Sequence, residues 1–312
     1  MNRLMRPLFV ILWSSGFLAG GLGTRDVPPF ALTAWRFLLA AALLAAAAVV
    51  SRAPWPRTRR AWRDLIVTGV LLLGVQFGAG YTAIALGVPA GLAALVLCLS
   101  PVLVAVASGP VLGERLGRLG ALGSALAVLG ALVGGAEHLG DGGSGLGLGL
   151  LLVGLLGFAG GTLYQKRFGG AMDLRTGSVV QLLAGAAVVV PLALLFEGGL
   201  PLPGTATGVA ALAWLAVANS VGAALLLFVL LRRGTGAAVS GLLYLVPAVT
   251  AVLAVPVLGQ PIDGETLAGL GITLAGVVLV NRDGQVARGA PRYVPKYQWL
   301  PSGSSIAKSR EP

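Results

Sequence analysis

A chain of 312 residues with 56% hydrophobic and only 11% charged side chains, at a mean hydropathy of +0.90, cannot clothe a water-facing surface in polar groups. Composition therefore excludes an ordinary soluble enzyme or binding domain and points to an integral membrane protein. The single cysteine, Cys98, excludes a disulfide framework and a cysteine-rich metal site, and the net charge of +11 suggests nucleic acid only until the basic residues are placed.

A lipid core about 30 Å thick takes roughly 20 apolar residues per helical crossing. Ten spans are predicted, in chain order, at 7–24, 29–50, 64–86, 89–110, 116–135, 145–165, 176–196, 207–231, 235–258 and 264–281. The first follows Arg3 and Arg6 and could pass for a secretory leader. Trp13, Ser14 and Ser15 interrupt its apolar run, and the second half of the chain holds its counterpart, so it is retained as a span.

The second span enters at "PPFALTAWRFLLAA" and carries Arg36, the only basic residue well inside a span. An arginine at a helix centre costs about 2.5 to 3.5 kcal/mol on insertion scales. Arg36 lies near the outer end of its span, so its long side chain is expected to snorkel to the headgroups beside Trp35, with anion recognition as the alternative. The remaining polar residues within spans are few: Trp13, Ser14 and Ser15 in the first, Gln76 and Tyr81 in the third, Tyr164 and Gln165 late in the sixth, Asn219 and Ser220 in the eighth and Tyr244 in the ninth. Beyond Asn281 the chain turns polar, with Pro291, Pro295 and Pro301, and residues 282–312 are expected to form a basic, disordered cytoplasmic tail drawn to anionic lipid.

Charge tests this map. With the amino terminus inside, cytoplasmic segments hold 20 of the 22 basic residues; only Arg25 lies outside and only Arg36 within a span. Adding or losing one span destroys the asymmetry, so the positive-inside rule predicts ten spans with both termini cytoplasmic. The basic excess is topological, and no nucleic-acid partner is expected.

The chain also repeats itself. "PVLGERLG" at 110–117 returns as "PVLGQPID" at 256–263, and at that offset of 146 Pro101 matches Pro247, Pro110 matches Pro256, Gly123 matches Gly269 and Gly130 matches Gly276. Earlier in each half the offset is 145, pairing Trp13 with Phe158, Gly16 with Gly161 and "RFLLAAALL" from Arg36 with "QLLAGAAVV" from Gln181. A repeat of five spans enters the membrane from opposite sides in its two copies. The predicted fold is thus an all-α membrane protein of ten transmembrane helices, two inverted five-helix repeats at 1–138 and 139–281, with its site near the midplane between them. Glu114 becomes Gln260 as the loop moves from inside to outside and sheds its arginines.

At this point the sequence resembles the drug/metabolite transporter superfamily, of the EamA-like ten-span type. The residues that carry the resemblance are "WSSGFLAG", "PPFALTAWRFLLAA" and "LSPVLVAVASGPVLGERLGRLGALGSALAVLGALV" with its echo "LVPAVTAVLAVPVLGQPIDGETLAGLGITLAGVVLV", and it extends over residues 7–281. The resemblance implies a transporter of the bacterial inner membrane, many such proteins exporting amino acids, metabolites or drugs.

Polar groups left in hydrocarbon are the best functional pointers. Trp13, Ser14, Gln76, Tyr81, Tyr164, Asn219 and Tyr244 are the candidate substrate-binding residues, with Gln76 and Asn219 bonding a polar substrate and the aromatic residues forming walls. The serines equally suit bonds to their own helix carbonyls. Pro101, Pro247, Pro110 and Pro256 are candidate hinges, static kinking being the plainer reading. Glycine pairs four apart, Gly16 with Gly20, Gly74 with Gly78, Gly130 with Gly134 and Gly157 with Gly161, suit close helix approach, and the glycine-rich fifth and tenth spans permit a homodimer interface. "GDGGSG" at 140–145 mimics a dinucleotide fingerprint but follows a lipid-spanning helix, so it reads as a turn.

No Asp or Glu lies near the middle of a span and the one histidine, His138, sits at an outer boundary, so coupling is either peripheral, through Glu114, Glu137 or Glu197, or absent, and a facilitator or exchanger is expected. No cofactor or metal is expected. The predicted function is a carrier of small metabolites, hydrophobic or aromatic amino acids or drugs, exporting by alternating access. The competing classes are a channel or non-transporting scaffold, and a lipid-acting enzyme, for which nucleophile and base are missing.

Overall fold

The computed structural model describes residues 2–113, 117–135, 142–169, 173–223, 226, 242–262 and 264–286. Its regular elements are helices only: α1 (Asn2–Gly23), α2 (Pro29–Val50), α3 (Arg59–Ala85), α4 (Ala90–Leu97), α5 (Ser100–Leu112), α6 (Arg118–Gly135), α7 (Gly142–Phe168), α8 (Leu174–Phe196), α9 (Ala206–Gly222), α10 (Val246–Leu258) and α11 (Gly264–Val286). Eight apolar segments are long enough to cross a membrane, one of them formed by α4 and α5 together, and α9 and α10 are shorter apolar helices. The chain is a multi-pass membrane protein.

The first seven predicted spans and the tenth coincide with helices to within a few residues. For the eighth and ninth, only the opening (α9) and the close (α10) are described, and residues 227–241 between them lie outside the described residues. Glu114, Glu137, His138 and the first two residues of "GDGGSG" are also outside them, and the other four open α7 as helix rather than forming the expected turn. One boundary is corrected: α11 continues to Val286, past Asn281, because "NRDGQ" is polar but contains no proline to end the helix.

Two crossings are locally irregular at matching places. The third contains a π-helical stretch, Val70–Val75, and α9 turns π-helical over Trp214–Gly222. The fourth crossing breaks at Cys98 and Leu99, and α5 restarts with Pro101 in its first turn, where the missing N–H costs no hydrogen bond; α10 starts the same way with Pro247. Both helices end on the duplicated "PVLG". Gly113 and Gly259 adopt left-handed conformations, φ 73° and 71°, and cap the helices there, which a residue with a Cβ does only under strain. Pro110 and Pro256 lie in the last turns before those caps.

Polar contacts between loops sort into two ends. At one, Glu197 accepts from the N–H groups of Phe30 and Ala31 at 2.8 Å each, Asp26 accepts from Thr205 N–H at 3.0 Å, Arg25 donates to the Leu258 carbonyl and Gln260 accepts from Ala90 N–H at 3.0 Å. At the other, Tyr164 donates to Asp64 at 2.9 Å, Arg167 to the Val111 carbonyl and Thr176 to the Pro54 carbonyl. Glu197 and Gln260 thereby cap helix starts that would otherwise leave N–H groups bare.

Lipid offers no hydrophobic drive for one helix to join another, so packing depends on close backbone approach. The seam of α6 and α11 meets this need. A Cβ on Gly123 would lie 2.6 Å from the Gly276 carbonyl oxygen, one on Gly269 2.5 Å from the Gly130 oxygen, and Thr273 donates to the Ala127 carbonyl. As numbers rise along α6 they fall along α11, so the two run antiparallel. Gly123 and Gly269 are repeat counterparts, as are Ala127 and Thr273, and Gly130 and Gly276, so each contact exchanges into its partner. The glycines offered above for a homodimer thus face each other within one chain, while Leu122, Leu129 and Leu132 of α6 point outward.

Gly276→Ala should lower the melting temperature of the detergent-solubilised protein by several degrees, since overpacking of about 1 to 3 kcal/mol is expected at a backbone contact. Gly271→Ala, which meets nothing within 4 Å, should leave it unchanged or raise it slightly. Equal effects at the two positions would contradict the seam.

Candidate substrate cavity

Between the helices lies a cavity of about 460 Å³. Its walls come from matched positions of the two halves. Trp13 and Phe158, Arg36 and Gln181, and Phe37 and Leu182 are pairs at the offset of 145; Leu97 and Leu243, Cys98 and Tyr244, Ser100 and Val246, and Pro101 and Pro247 are pairs at 146. A cavity between repeats is thereby built twice over from the same positions, with different side chains in each copy.

Arg36 is the centre of its polar part, and the expectation that it snorkels to the surface is overturned: it is 3% exposed. Its Nε donates to Ser220 Oγ at 2.9 Å, Nη1 to the Tyr81 hydroxyl at 2.5 Å and Nη2 to Asn219 Oδ1 at 2.6 Å. The guanidinium carbon stands 4.1 Å from the centre of the Phe77 ring, a cation–π contact. Neighbours from α3 and α9 hold the side chain inward, so the headgroup region is not needed to satisfy it.

Those neighbours are themselves fixed. Tyr81 donates to the Gly16 carbonyl, Asn219 Nδ2 to the Leu12 carbonyl and Ser220 to the Leu215 carbonyl five residues back. That last spacing is the π-helical one, and the wider turn lets the consecutive residues Asn219 and Ser220 both face one guanidinium. Room for them comes from α1. A Cβ on Gly16 would sit 2.6 Å from Asn219 Nδ2, and one on Gly20 2.4 Å from the Tyr81 ring. The first of the predicted glycine pairs therefore shapes the site, while Gly157 and Gly161 pack on Leu71, Leu72 and Val75.

Of the seven candidate binding residues, Trp13, Gln76, Tyr81, Asn219 and Tyr244 line the cavity. Ser14 and Tyr164 are not among its lining residues. Ser14 is fully buried and donates across to the Val246 carbonyl on α10, rather than to its own helix as Ser15 does to Leu12. Tyr164 lies at the arginine-rich end, where it bonds the buried Asp64, itself beside Arg63 and Arg60. Of the candidate hinges, Pro101 and Pro247 line the cavity, and Pro110 and Pro256 lie at helix ends away from it.

The sequence reading missed Gln181, Ser178, Asn281 and Cys98 as lining residues. Gln181 had a usable signal, since the repeat aligns it with Arg36. Glu197 was held open as a coupling group, but both its oxygens are engaged in capping α2. Among the described residues no group of three metal-ligating side chains occurs and no Asp or Glu lines the cavity.

The EamA-like transporter family matches residues 5–134 and 145–282, one match to each half. The inner membrane transporter YedA of Escherichia coli is 28% identical over 294 residues, spanning 89% of this chain and 92% of its own. A probable amino-acid metabolite efflux pump of Escherichia coli is 30% identical over 207 residues, 66% of each chain, and the transporter YvbV of Bacillus subtilis is 26% identical over 93% of this chain and 94% of its own. A crystal structure sharing 22% identity has the same fold, with a TM-score of 0.62 over 91% of this chain and 96% of that one.

Cys98 is the only cysteine in the chain and is partly exposed at the cavity wall, so a permeant maleimide should label the native protein and not Cys98→Ser. Tyr244→Trp, which puts a larger ring at the thiol's repeat counterpart on the same cavity wall, should slow labelling several-fold. An unchanged rate would mean that the reagent reaches Cys98 from the lipid side.

Proposed function

We propose, for a chain that belongs to the EamA-like transporter family, an alternating-access carrier that moves small amphipathic metabolites outward across the bacterial inner membrane. In this reading the molecule consists of ten spans in two inverted five-helix repeats, with both termini cytoplasmic. The observation that carries it is the cavity lined by counterpart positions of the two halves. Halves related in this way can exchange conformations, so a state open to one side has a near-equivalent open to the other.

The antiparallel, self-exchanging seam of α6 and α11 supports inversion, and the sorting of loop contacts into two ends supports the alternation of spans. Pro101 and Pro247, each beside a break in its crossing and each on the cavity wall, suit hinges for the exchange. The walls are largely apolar, with Trp13, Phe77, Tyr81 and Tyr244 beside a few amide and hydroxyl groups, which favours solutes with a hydrophobic body over sugars or polyanions. Hydrophobic amino acids, their derivatives and drugs fall in that class, and the name of the efflux pump among its relatives agrees. The absence of a carboxylate on the wall among the described residues favours exchange or facilitation over proton coupling.

Proteoliposomes preloaded with one solute should take up its label by counterflow, at a rate indifferent to an imposed pH gradient. Gln76→Ala and Tyr244→Ala should each reduce exchange by about tenfold or more, the effect of roughly 1.4 kcal/mol. Uphill accumulation driven by the pH gradient would overturn the uncoupled mechanism, and ohmic current without counterflow would favour a channel.

A further inference from the structure

Arg36 carries a full positive charge into the membrane, yet every group that receives its hydrogen bonds is neutral: a serine, a tyrosine and an amide. Among the described residues, ion pairs are found at Asp64 and Asp173, not at Arg36. A guanidinium has five N–H donors, of which three are used here, and among the described residues the other two make no hydrogen bond. The side chain lines the cavity with Phe77 against one face, so its unused donors belong to a fixed, partly dehydrated fork. A second polar group stands in the same cavity wall: the Tyr244 hydroxyl is buried and, among the described residues, makes no hydrogen bond of ordinary geometry, with the Asn281 side chain beside it.

We propose that Arg36 is the receptor for a carboxylate on the transported solute, and that the solute binds as an apolar monoanion rather than as a zwitterion. This rests on the carrier reading above and adds to it the charge of the substrate. Arginine is suited to the task because its planar fork matches both carboxylate oxygens at once, and the held orientation leaves little freedom to lose. The charge argument is independent of shape. A cavity holding, among the described residues, one cation and no acid is neutralised by a ligand of charge −1 and remains charged around a zwitterion, whose ammonium also lacks an acidic partner among those residues. Gln181, in the equivalent position of the other half, places a neutral amide where a second arginine would call for a dianion. Tyr244 is then available to a second polar atom of the solute, such as a keto or hydroxyl oxygen.

The test compares four probes of one body on the wild-type protein: phenylpyruvate, phenylalanine, phenylacetamide and phenylethylamine, by calorimetric binding in detergent and by counterflow in proteoliposomes. Phenylpyruvate should bind at least tenfold more tightly than phenylalanine, with the amide and the amine weaker still. Arg36→Gln should erase that ranking, and Arg36→Lys should retain part of it. Because the ranking is read on the unaltered chain, the test survives an Arg36→Gln protein that fails to fold. Equal binding of anion and amide, a preference for the zwitterion, or no binding of phenylpyruvate would each overturn the carboxylate site. Exchange of the amide as fast as the anion would do so while leaving the carrier intact. Tight binding of phenylpyruvate without counterflow of any probe would preserve the site and overturn the carrier.

Discussion

Helices surrounded by lipid gain nothing by hiding apolar surface from one another, and that constraint organises the whole molecule. Association must come from backbone approach and from polar contacts across helices, so many buried positions go to small residues, packed among large ones such as Phe9, Phe37, Leu92 and Leu151. Ala31, Ala34, Ala40 and Ala83 are fully buried, whereas Val50, Leu195 and Phe196 are among the most exposed side chains. The seam of α6 and α11 is the tightest expression of this rule. There two glycine faces meet with carbonyl oxygens where Cβ atoms would stand, and the same close approach that joins the helices fixes the two halves in register.

Close approach also makes the polar site. Gly16 and Gly20 remove two side chains from α1, and Asn219 and Tyr81 fill the space. Those two residues then accept hydrogen bonds from Arg36, which explains how a cation persists in this setting with only neutral partners beside it. Loss of the glycines would thus act on the arginine without touching it. The cost of the buried charge is offset by three hydrogen bonds and one aromatic face, on a side chain that lines the cavity.

Symmetry supplies the frame and its breaches supply the chemistry. The same positions from each half line the cavity, but one copy contributes arginine and the other glutamine, one cysteine and the other tyrosine. The ends are asymmetric as well. Glu197 and Gln260 cap helix starts at one end, while the Asp64 carboxylate, bonded by Tyr164 and flanked by Arg60 and Arg63, joins α3 to α7 at the other. Glu197, which looked available for proton coupling in the sequence, is thereby engaged in holding a helix end.

The sequence by itself determined the membrane class, nearly all span positions, the internal repeat and most of the cavity's polar residues. These depend on hydropathy over about 20 residues and on matches at a fixed offset, both local or periodic properties. It also anticipated that Trp13, Gln76, Tyr81, Asn219 and Tyr244 belong together, because polar groups inside spans are few. Tertiary structure alone decided the direction of Arg36, since depth along a helix cannot distinguish a side chain reaching up to headgroups from one drawn inward by Ser220, Tyr81 and Asn219. It also decided that Ser14 and Tyr164 serve helix contacts, that the glycine-rich fifth and tenth spans meet within one chain, and that Gln181 and Arg36 line the same cavity. Each of these depends on which residues far apart in the chain come into contact, 45 positions for Arg36 and Tyr81 and 232 for Ser14 and Val246, information that enters only when the helices pack.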